Sequence, residues 1–451
     1  MSSRDTFSWR FVAPLYMGST LNPINSSIIA TALVPIAAAL HVSVAQTTLL
    51  VTSLYLASSI AQPTAGKLSE EFGPRRVFLT GILLVLIGGI IGGLGHNLIM
   101  LIVARVFIGI GTSTAYPSAM LLIRRQADSA GLSEPPGHVL GALQIAGVAT
   151  AAVGLPIGGV LVDAWGWRTT FLVNIPFALI ALVMAALWIP RDVPIQGMKT
   201  AREIASRIDA LGITGFAATT TALLVFLFSL PNLSWTALGL SVVLGIFTIG
   251  WELRVKHPFF DVRMLASNPT LTRTYTRFML MTLCMYTVLY GITAWIGSTH
   301  VVSSLEVGLL LLPMSVLSAF VVGPISKRNL VRGPLIVSAA SSIVASIGVL
   351  FLTASSPMIW LLIITLIFGI TMGTMVSGNQ TALYTQVTAS QIGTASGLFR
   401  TFGYIGSIAS SAIIGIAFHT VVSDSGMHAI ALTMITVSVV ALFITITDRQ
   451  L

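Results

Sequence analysis

Long apolar runs, each about as long as a bilayer-crossing helix, follow one another almost without interruption along the chain. A hydrocarbon core of ~30 Å takes about 20 apolar residues in an α-helix. Read with that length, the pattern predicts fourteen spans. Six lie near 11–39, 46–65, 77–95, 98–122, 139–162 and 169–190, then two near 209–229 and 235–254. The last six lie near 272–297, 303–322, 334–354, 357–379, 391–418 and 426–446. The connections are short, and no ten-residue stretch alternates as the strands of a membrane barrel do. The expected fold is an all-α, multi-pass helical bundle in a lipid bilayer.

Composition removes the competing classes. Of 451 residues 55% are hydrophobic and 8% charged, with a mean hydropathy of +0.94. A soluble chain carries roughly a quarter charged residues, and disorder needs still more. The net charge of +9 would point to nucleic acid in a soluble protein. Here its distribution explains it. With a cytoplasmic N-terminus, Lys and Arg crowd the inside loops and only Arg168 lies outside, as the positive-inside rule requires. Both termini are then cytoplasmic, the location is the cell membrane, and no nucleic-acid partner is needed.

The single cysteine, Cys284, allows no internal disulfide, and seven scattered histidines offer no metal site. The opening MSSRDTFSWR runs into an apolar stretch without a cleavage site, so no removable signal peptide is expected. No nucleotide-binding loop, nucleophile with its base or paired acids appear, which excludes ATP drive and an enzyme.

Three landmarks recur. Gly66 and Gly323 each open a basic loop 257 residues apart, Gly141 and Gly397 lie 256 apart, and Gly109 and Gly369 lie 260 apart. The chain divides into a six-helix bundle (1–190), a two-helix insert with its linkers (191–268) and a second six-helix bundle (269–451). Repeats of equal parity are related by an axis along the membrane normal, and a site between them opens to each side in turn.

Four motifs carry chemistry: GKLSEEFGPRRVFLTG with Gly66, Glu70, Gly73, Arg75 and Arg76; LIVARVFIGIG with Arg105; GALQIAGVATAAVGLPIGGVL with Gly154, Pro156, Gly158 and Gly159; and NPINSSIIATALVPI with Asn22 and Asn25. Together with HPFFDVRML, LEVGLLLLP and ASGLFRTFGYIGS they resemble the major facilitator superfamily over the whole chain, specifically its fourteen-helix drug:proton antiporter branch. The resemblance implies a secondary transporter that exports small amphipathic compounds or drugs by alternating access, in exchange for protons and with no other cofactor. Six positions depart from the family pattern: Glu70 stands for Asp, Glu71 and Pro74 for basic residues, Ile108 for Gln, Leu155 for Pro and Asn25 for Asp.

Each motif has a plainer reading beside its functional one. A carboxylate of the 66–76 loop can dock on a helix N-terminus or an arginine and latch the cytoplasmic face; otherwise the loop is merely solvated. Arg105 costs roughly 2.5–3.5 kcal/mol in mid-membrane, so it faces a polar interior, contacting substrate, tuning a proton site or binding carbonyls. The helix 5 glycines allow close packing. Asn22, Pro23 and Asn25 predict an irregular polar turn lining a cavity, or only interhelical glue. Neither Asn25 nor an arginine titrates near neutrality, which leaves Asp163 and Glu306, at the outer ends of their helices, as candidate proton sites. The substrate surface is expected from Tyr55, Tyr116, Gln144, Tyr286, Trp295, Asn379 and Arg400. Embedded arginines without an opposing mid-membrane acid favour anionic or neutral amphiphiles. A monomer is expected. The alternatives are an importer or facilitator of one metabolite, and a membrane sensor, which would need a soluble domain for which no loop is long enough.

Overall fold

Apolar side chains leave the backbone to satisfy its own hydrogen bonds, so nearly every segment is helical. The computed structural model describes residues 7–132, 137–192, 208–229, 233–256, 258–259, 262–299, 302–327, 330–386 and 392–448. The first group is α1 (Trp9–Leu40), α2 (Leu49–Phe72), α3 (Pro74–Gly93), α4 (Leu98–Ser129), α5 (Gly137–Trp165) and α6 (Asn174–Trp188). A hairpin of α7 (Ala210–Phe228) and α8 (Trp235–Glu252) follows. The second group is α9 (Pro269–Thr299), α10 (Ser304–Lys327), α11 (Arg332–Leu350), α12 (Met358–Gln386), α13 (Ile392–Ala417) and α14 (Asp424–Thr447). Twelve helices of described residues are long and apolar enough to cross a bilayer; α5 and α7 contribute shorter apolar stretches, Val153–Trp165 and Ala210–Phe226. The chain is a multi-pass membrane protein.

Several elements differ from the sequence expectation, α2 and α12 by running on to Phe72 and Gln386. α4 continues to Ser129 rather than 122, because an Arg124–Asp128 pair one turn apart (3.8 Å) extends it and nothing breaks it before Gly131 turns left-handed at φ 71°. α1 shows no irregular turn at Asn22–Pro23. Its polar side chains fold back onto its own carbonyls, Asn25 Nδ2 to Leu21 O (2.9 Å), Ser26 Oγ to Asn22 O (2.9 Å) and Ser27 Oγ to Pro23 O (3.2 Å), so the helix absorbs the polar run. α9 carries a π-helical turn at Val288–Ile292.

Packing repeats between the groups. α1 lies on α5, α2 on α4, and α3 on α4 and α6; in the second group α9 lies on α13, α10 on α12, and α11 on α12 and α14. The groups meet where α5 packs on α10, α2 on α13, and α1 on the end of α9. The beginning of α1 and the end of α14 mark one face of the molecule, here the terminal face; the other is the far face.

The α7–α8 hairpin rests against both α2 and α13. Its anchor is Asp209, 2% exposed and in the left-handed region (φ 55°), where non-glycine residues are uncommon. Its carboxylate accepts from Gly212 N (3.1 Å), Trp251 Nε1 (2.8 Å) and Phe259 N (2.9 Å). Lys67 of α2 donates to the neighbouring Pro258 carbonyl (2.9 Å), tying the hairpin to the first group. Asp209→Ala strands three buried donors and is expected to cost on the order of 3 kcal/mol. A lowered thermal midpoint in detergent, with changed Trp251 emission, checks this; an unchanged midpoint refutes it.

Candidate functional site

A cavity of about 460 Å³, its open mouth included, lies between the two groups in the half of the molecule nearer the terminal face. From the first group α1 supplies Ser19, Asn22 and Pro23, α2 supplies Gln62, α4 supplies Thr112, Ser113 and Tyr116, and α5 supplies Leu143 and Gly147. From the second group α13 supplies Arg400 and Tyr404. The Arg400 guanidinium lies 4.1 Å from the centre of the Tyr116 ring, a cation–π contact that joins the groups. Tyr404 donates to Gln62 Oε1 (2.5 Å) across the same divide, and Asn22 Nδ2 donates to Thr112 Oγ1 (3.0 Å).

Toward the far face a layer of tyrosines closes the cavity. The Tyr55 ring sits 5.8 Å from Tyr404 and 5.0 Å from Tyr286, which stacks 5.7 Å from Tyr290. The Tyr55 and Tyr290 hydroxyls bond at 3.1 Å, and Tyr290 donates to the Ser26 carbonyl of α1 (2.8 Å). Tyr290 occupies the π turn of α9. Beyond this layer α5 and α10 meet backbone to backbone. A Cβ on Gly159 would stand 2.6 Å from Leu305 Cα, and one on Gly308 2.7 Å from Leu155 O. Asp163 ends the seam by accepting from Ser304 N (2.9 Å) and Leu305 N (2.8 Å) at the start of α10. Glu306 caps the same helix from within, accepting from Ser303 N (2.7 Å). Both carboxylates thus lie at the favourable end of a helix dipole.

The other embedded polar groups are absorbed inside each half. Arg105 is 2% exposed and donates to Leu50 O (3.0 Å) and Asn25 O (3.2 Å), joining α4 to α2 and α1. Asn25 pairs its amide with Asn174 of α6 in both directions, at 2.6 and 3.0 Å. In the second half Arg277 lies 3.6 Å from the buried Asp448 and donates to Asn379 Oδ1 (3.2 Å) and Thr274 Oγ1 (3.0 Å). Asp448 also meets Arg273 (3.2 Å).

These findings carry a family. A model of the Major Facilitator Superfamily matches residues 15–411. The chain belongs to the major facilitator superfamily. It is 32% identical to the uncharacterized MFS-type transporter YwoD of Bacillus subtilis (strain 168), over 94% of this chain and 93% of that protein. It is 28% identical to the tetracenomycin C resistance and export protein of Streptomyces glaucescens, over 92% of this chain and 77% of that one. The solved nucleoside transporter NupG shares the fold at a TM-score of 0.65 and 11% identity, covering 98% of this chain and 99% of its own. The protein is therefore a facilitator-superfamily transporter, not an enzyme, working in a lipid bilayer on a small-molecule substrate.

Of the residues singled out from the sequence of this transporter, Asn22, Tyr116 and Arg400 line the cavity. Tyr55 and Tyr286 form the layer above it, and Trp295 is buried beyond, donating to Asp424 (2.9 Å). Asn25, Arg105 and Asn379 lie away from the cavity wall, spent on amide, carbonyl and arginine partners. The Gln144 side chain lies outside the described residues. In helix 5 Gly154 and Gly158 face Ser27 and Thr31 of α1, Gly159 faces α10, and Pro156 borders Gly308.

The loop motif requires a correction. Glu70 is exposed, and the carboxylate on the N-terminus of α3 comes instead from Asp192, just past α6. Asp192 accepts from Arg75 N (3.2 Å) and Arg76 N (2.9 Å), sits 3.9 Å from Arg125, and presses on Gly73, whose φ of 96° and tight space both exclude a side chain. The reason is geometric: Glu70 ends α2, where the dipole repels it, whereas the end of α6 abuts the start of α3. Gly66 leaves α2 close to Pro117 of α4. A second correction concerns Arg277. An acid does oppose it, because Asp448 folds back from the terminal tail.

Gln62, Tyr404, Tyr290, Asn174, Asp192 and Asp448 escaped the sequence reading. Asp192 and Asp448 are separated by 256 residues, the spacing of the repeat. That was the available signal.

Proposed function

We propose that the protein exports small amphipathic compounds across the cytoplasmic membrane by alternating access, in exchange for protons. The observation that carries this is the cavity between the two groups: Arg400 and Tyr116 bridge its walls, and its far side is closed by tyrosines and the α5–α10 seam. Basic residues concentrated on the terminal face put both termini and the half that holds the cavity inside, and with the far side closed we read this as the inward-facing, cargo-loading state. All fourteen long helices cross in this reading. The bundles are 1–190 and 269–451, with 191–268 as an insert beside the seam, as in the fourteen-helix drug:proton antiporter branch. The similarity, over 92% of this chain, to a tetracenomycin C resistance and export protein supports export rather than import.

Coupling is assigned to Asp163, with Glu306 as its neighbour on the same helix start. A proton on Asp163 weakens its grip on Ser304 N and Leu305 N and loosens the outer seam from outside, where protons enter an antiporter. Proteoliposomes with an imposed pH gradient of either sign test this. Flux should follow the gradient and reverse with it, and Asp163→Asn should make flux independent of it. Equal flux under both gradients in the wild type removes proton coupling.

A further inference from the structure

The hydrogen-bonding groups of the cavity are not all spent within the protein. Arg400 is: its guanidinium lies over the Tyr116 ring and is hydrogen-bonded to the Tyr404 hydroxyl. An arginine only donates, so that hydroxyl accepts from it and gives its own proton to Gln62. The atom of Gln62 facing Tyr404 is therefore the oxygen, and the amide nitrogen is left over. Gln62 is 6% exposed and lines the cavity, and among the described residues its Nε2 has no hydrogen-bond partner. Two more lining groups are unspent, Ser19 Oγ of α1 and Ser113 Oγ of α4, both buried without a partner. Buried polar groups are nearly always paired, and three such groups around one cavity call for a partner from outside the chain.

We infer that Gln62 reads the cargo: its amide N–H donates to an uncharged oxygen, a ketone, quinone or amide carbonyl, on a small flat amphiphile. The inference rests on the export reading above and names its substrate class. An amide nitrogen is a donor only, which demands an acceptor from the cargo, and the serine hydroxyls can donate to the same oxygen or to its neighbour. Donation from Arg400 through Tyr404 polarises the Gln62 amide and strengthens the N–H it offers. Every one of these unspent groups is neutral. A carboxylate brought to them loses its water without gaining a charged hydrogen-bond partner. An organic cation meets the charge of Arg400, and among the described residues no carboxylate lines the cavity to offset it. Pro23 and Leu143 offer apolar surface to the flat body. The cargo's polar end thus lies on the first half, beside the Tyr404–Gln62 bond that joins it to the second.

The test uses three probes on one scaffold: 2-acetylnaphthalene, its 2-isopropenyl analogue, in which CH2 replaces the carbonyl oxygen, and 2-naphthoate. Binding is measured on the purified transporter, and accumulation in everted vesicles against vesicles that lack it. Wild type should bind the ketone more tightly than either of the others. Gln62→Met should weaken the ketone about tenfold, the loss of one buried hydrogen bond, while the isopropenyl probe stays within about twofold. Gln62→Glu keeps an oxygen for Tyr404 and, ionised, offers no donor; it should show the same selective loss and serves if the methionine variant does not fold. A merely structural glutamine would lower both probes equally, and that outcome overturns the inference. Tighter binding of naphthoate or of the isopropenyl probe by wild type overturns it too. Ketone binding that depends on Gln62 without accumulation in everted vesicles upholds the contact and defeats the export reading alone.

Discussion

Gly159→Ala is expected to cut flux by more than tenfold while leaving the protein folded. The added Cβ meets backbone, Leu305 Cα and Ser304 O at 2.6 Å, and no flexible side chain can yield. Overpacking of this kind costs about 1–3 kcal/mol. The cost falls on the closed α5–α10 seam alone, since Gly154 and Gly158 still seat α5 on α1. A two-state equilibrium tilted by that amount shifts by about 5–150-fold, toward the outward-open form. The measurement pairs flux with labelling of Val34→Cys by a membrane-impermeant maleimide. Val34 packs against Gly297 at the same outer seam, and the natural Cys284 is buried and silent. Labelling should rise as flux falls. Normal flux with unchanged labelling would show that the seam does not gate.

Arg105→Met is expected to separate stability from activity. Its Nη2 is buried without an acceptor, and the side chain is a cation on two carbonyls, so a similar-sized apolar residue should leave the thermal midpoint unchanged or raise it. Transport should nevertheless fall, on the order of 100-fold, because two charged-donor hydrogen bonds of about 1.5–3 kcal/mol each are lost. Those bonds hold Asn25 and Leu50, and the next residue, Ser26, receives the Tyr290 hydroxyl that closes the cavity. The variant therefore releases the first half from the tyrosine layer. Wild-type flux in Arg105→Met would reduce Arg105 to packing.

Burial of Arg105 and Arg277 was legible from the chain alone, because an arginine in mid-membrane has nowhere else to go. Which arginine lines the cavity was not. Arg105 and Arg400 each stand among small and apolar residues, and only the packing of α13 beside α2 turns Arg400 toward Tyr116. Of the two glycines of the loop motif, Gly73 turns the chain in the left-handed region, whereas Gly66 lies inside α2. The acid that docks there did not, because Asp192 is remote in sequence from the helix start it caps. Likewise Asn25 marks a polar spot in α1, but its partner Asn174 lies 149 residues away and converts a suspected cavity residue into a strut.

Hydrophobic length is a local, additive property, so the chain by itself dictated a helical, multi-pass membrane bundle. Rotation of each helix about its axis is different. Helices apolar on nearly every side carry little asymmetry to aim them, and their orientation comes from packing against neighbours. That step, available only in three dimensions, placed Arg400 in the cavity, withdrew Arg105 and Asn25 from it, and brought Asp163 onto the first turn of α10.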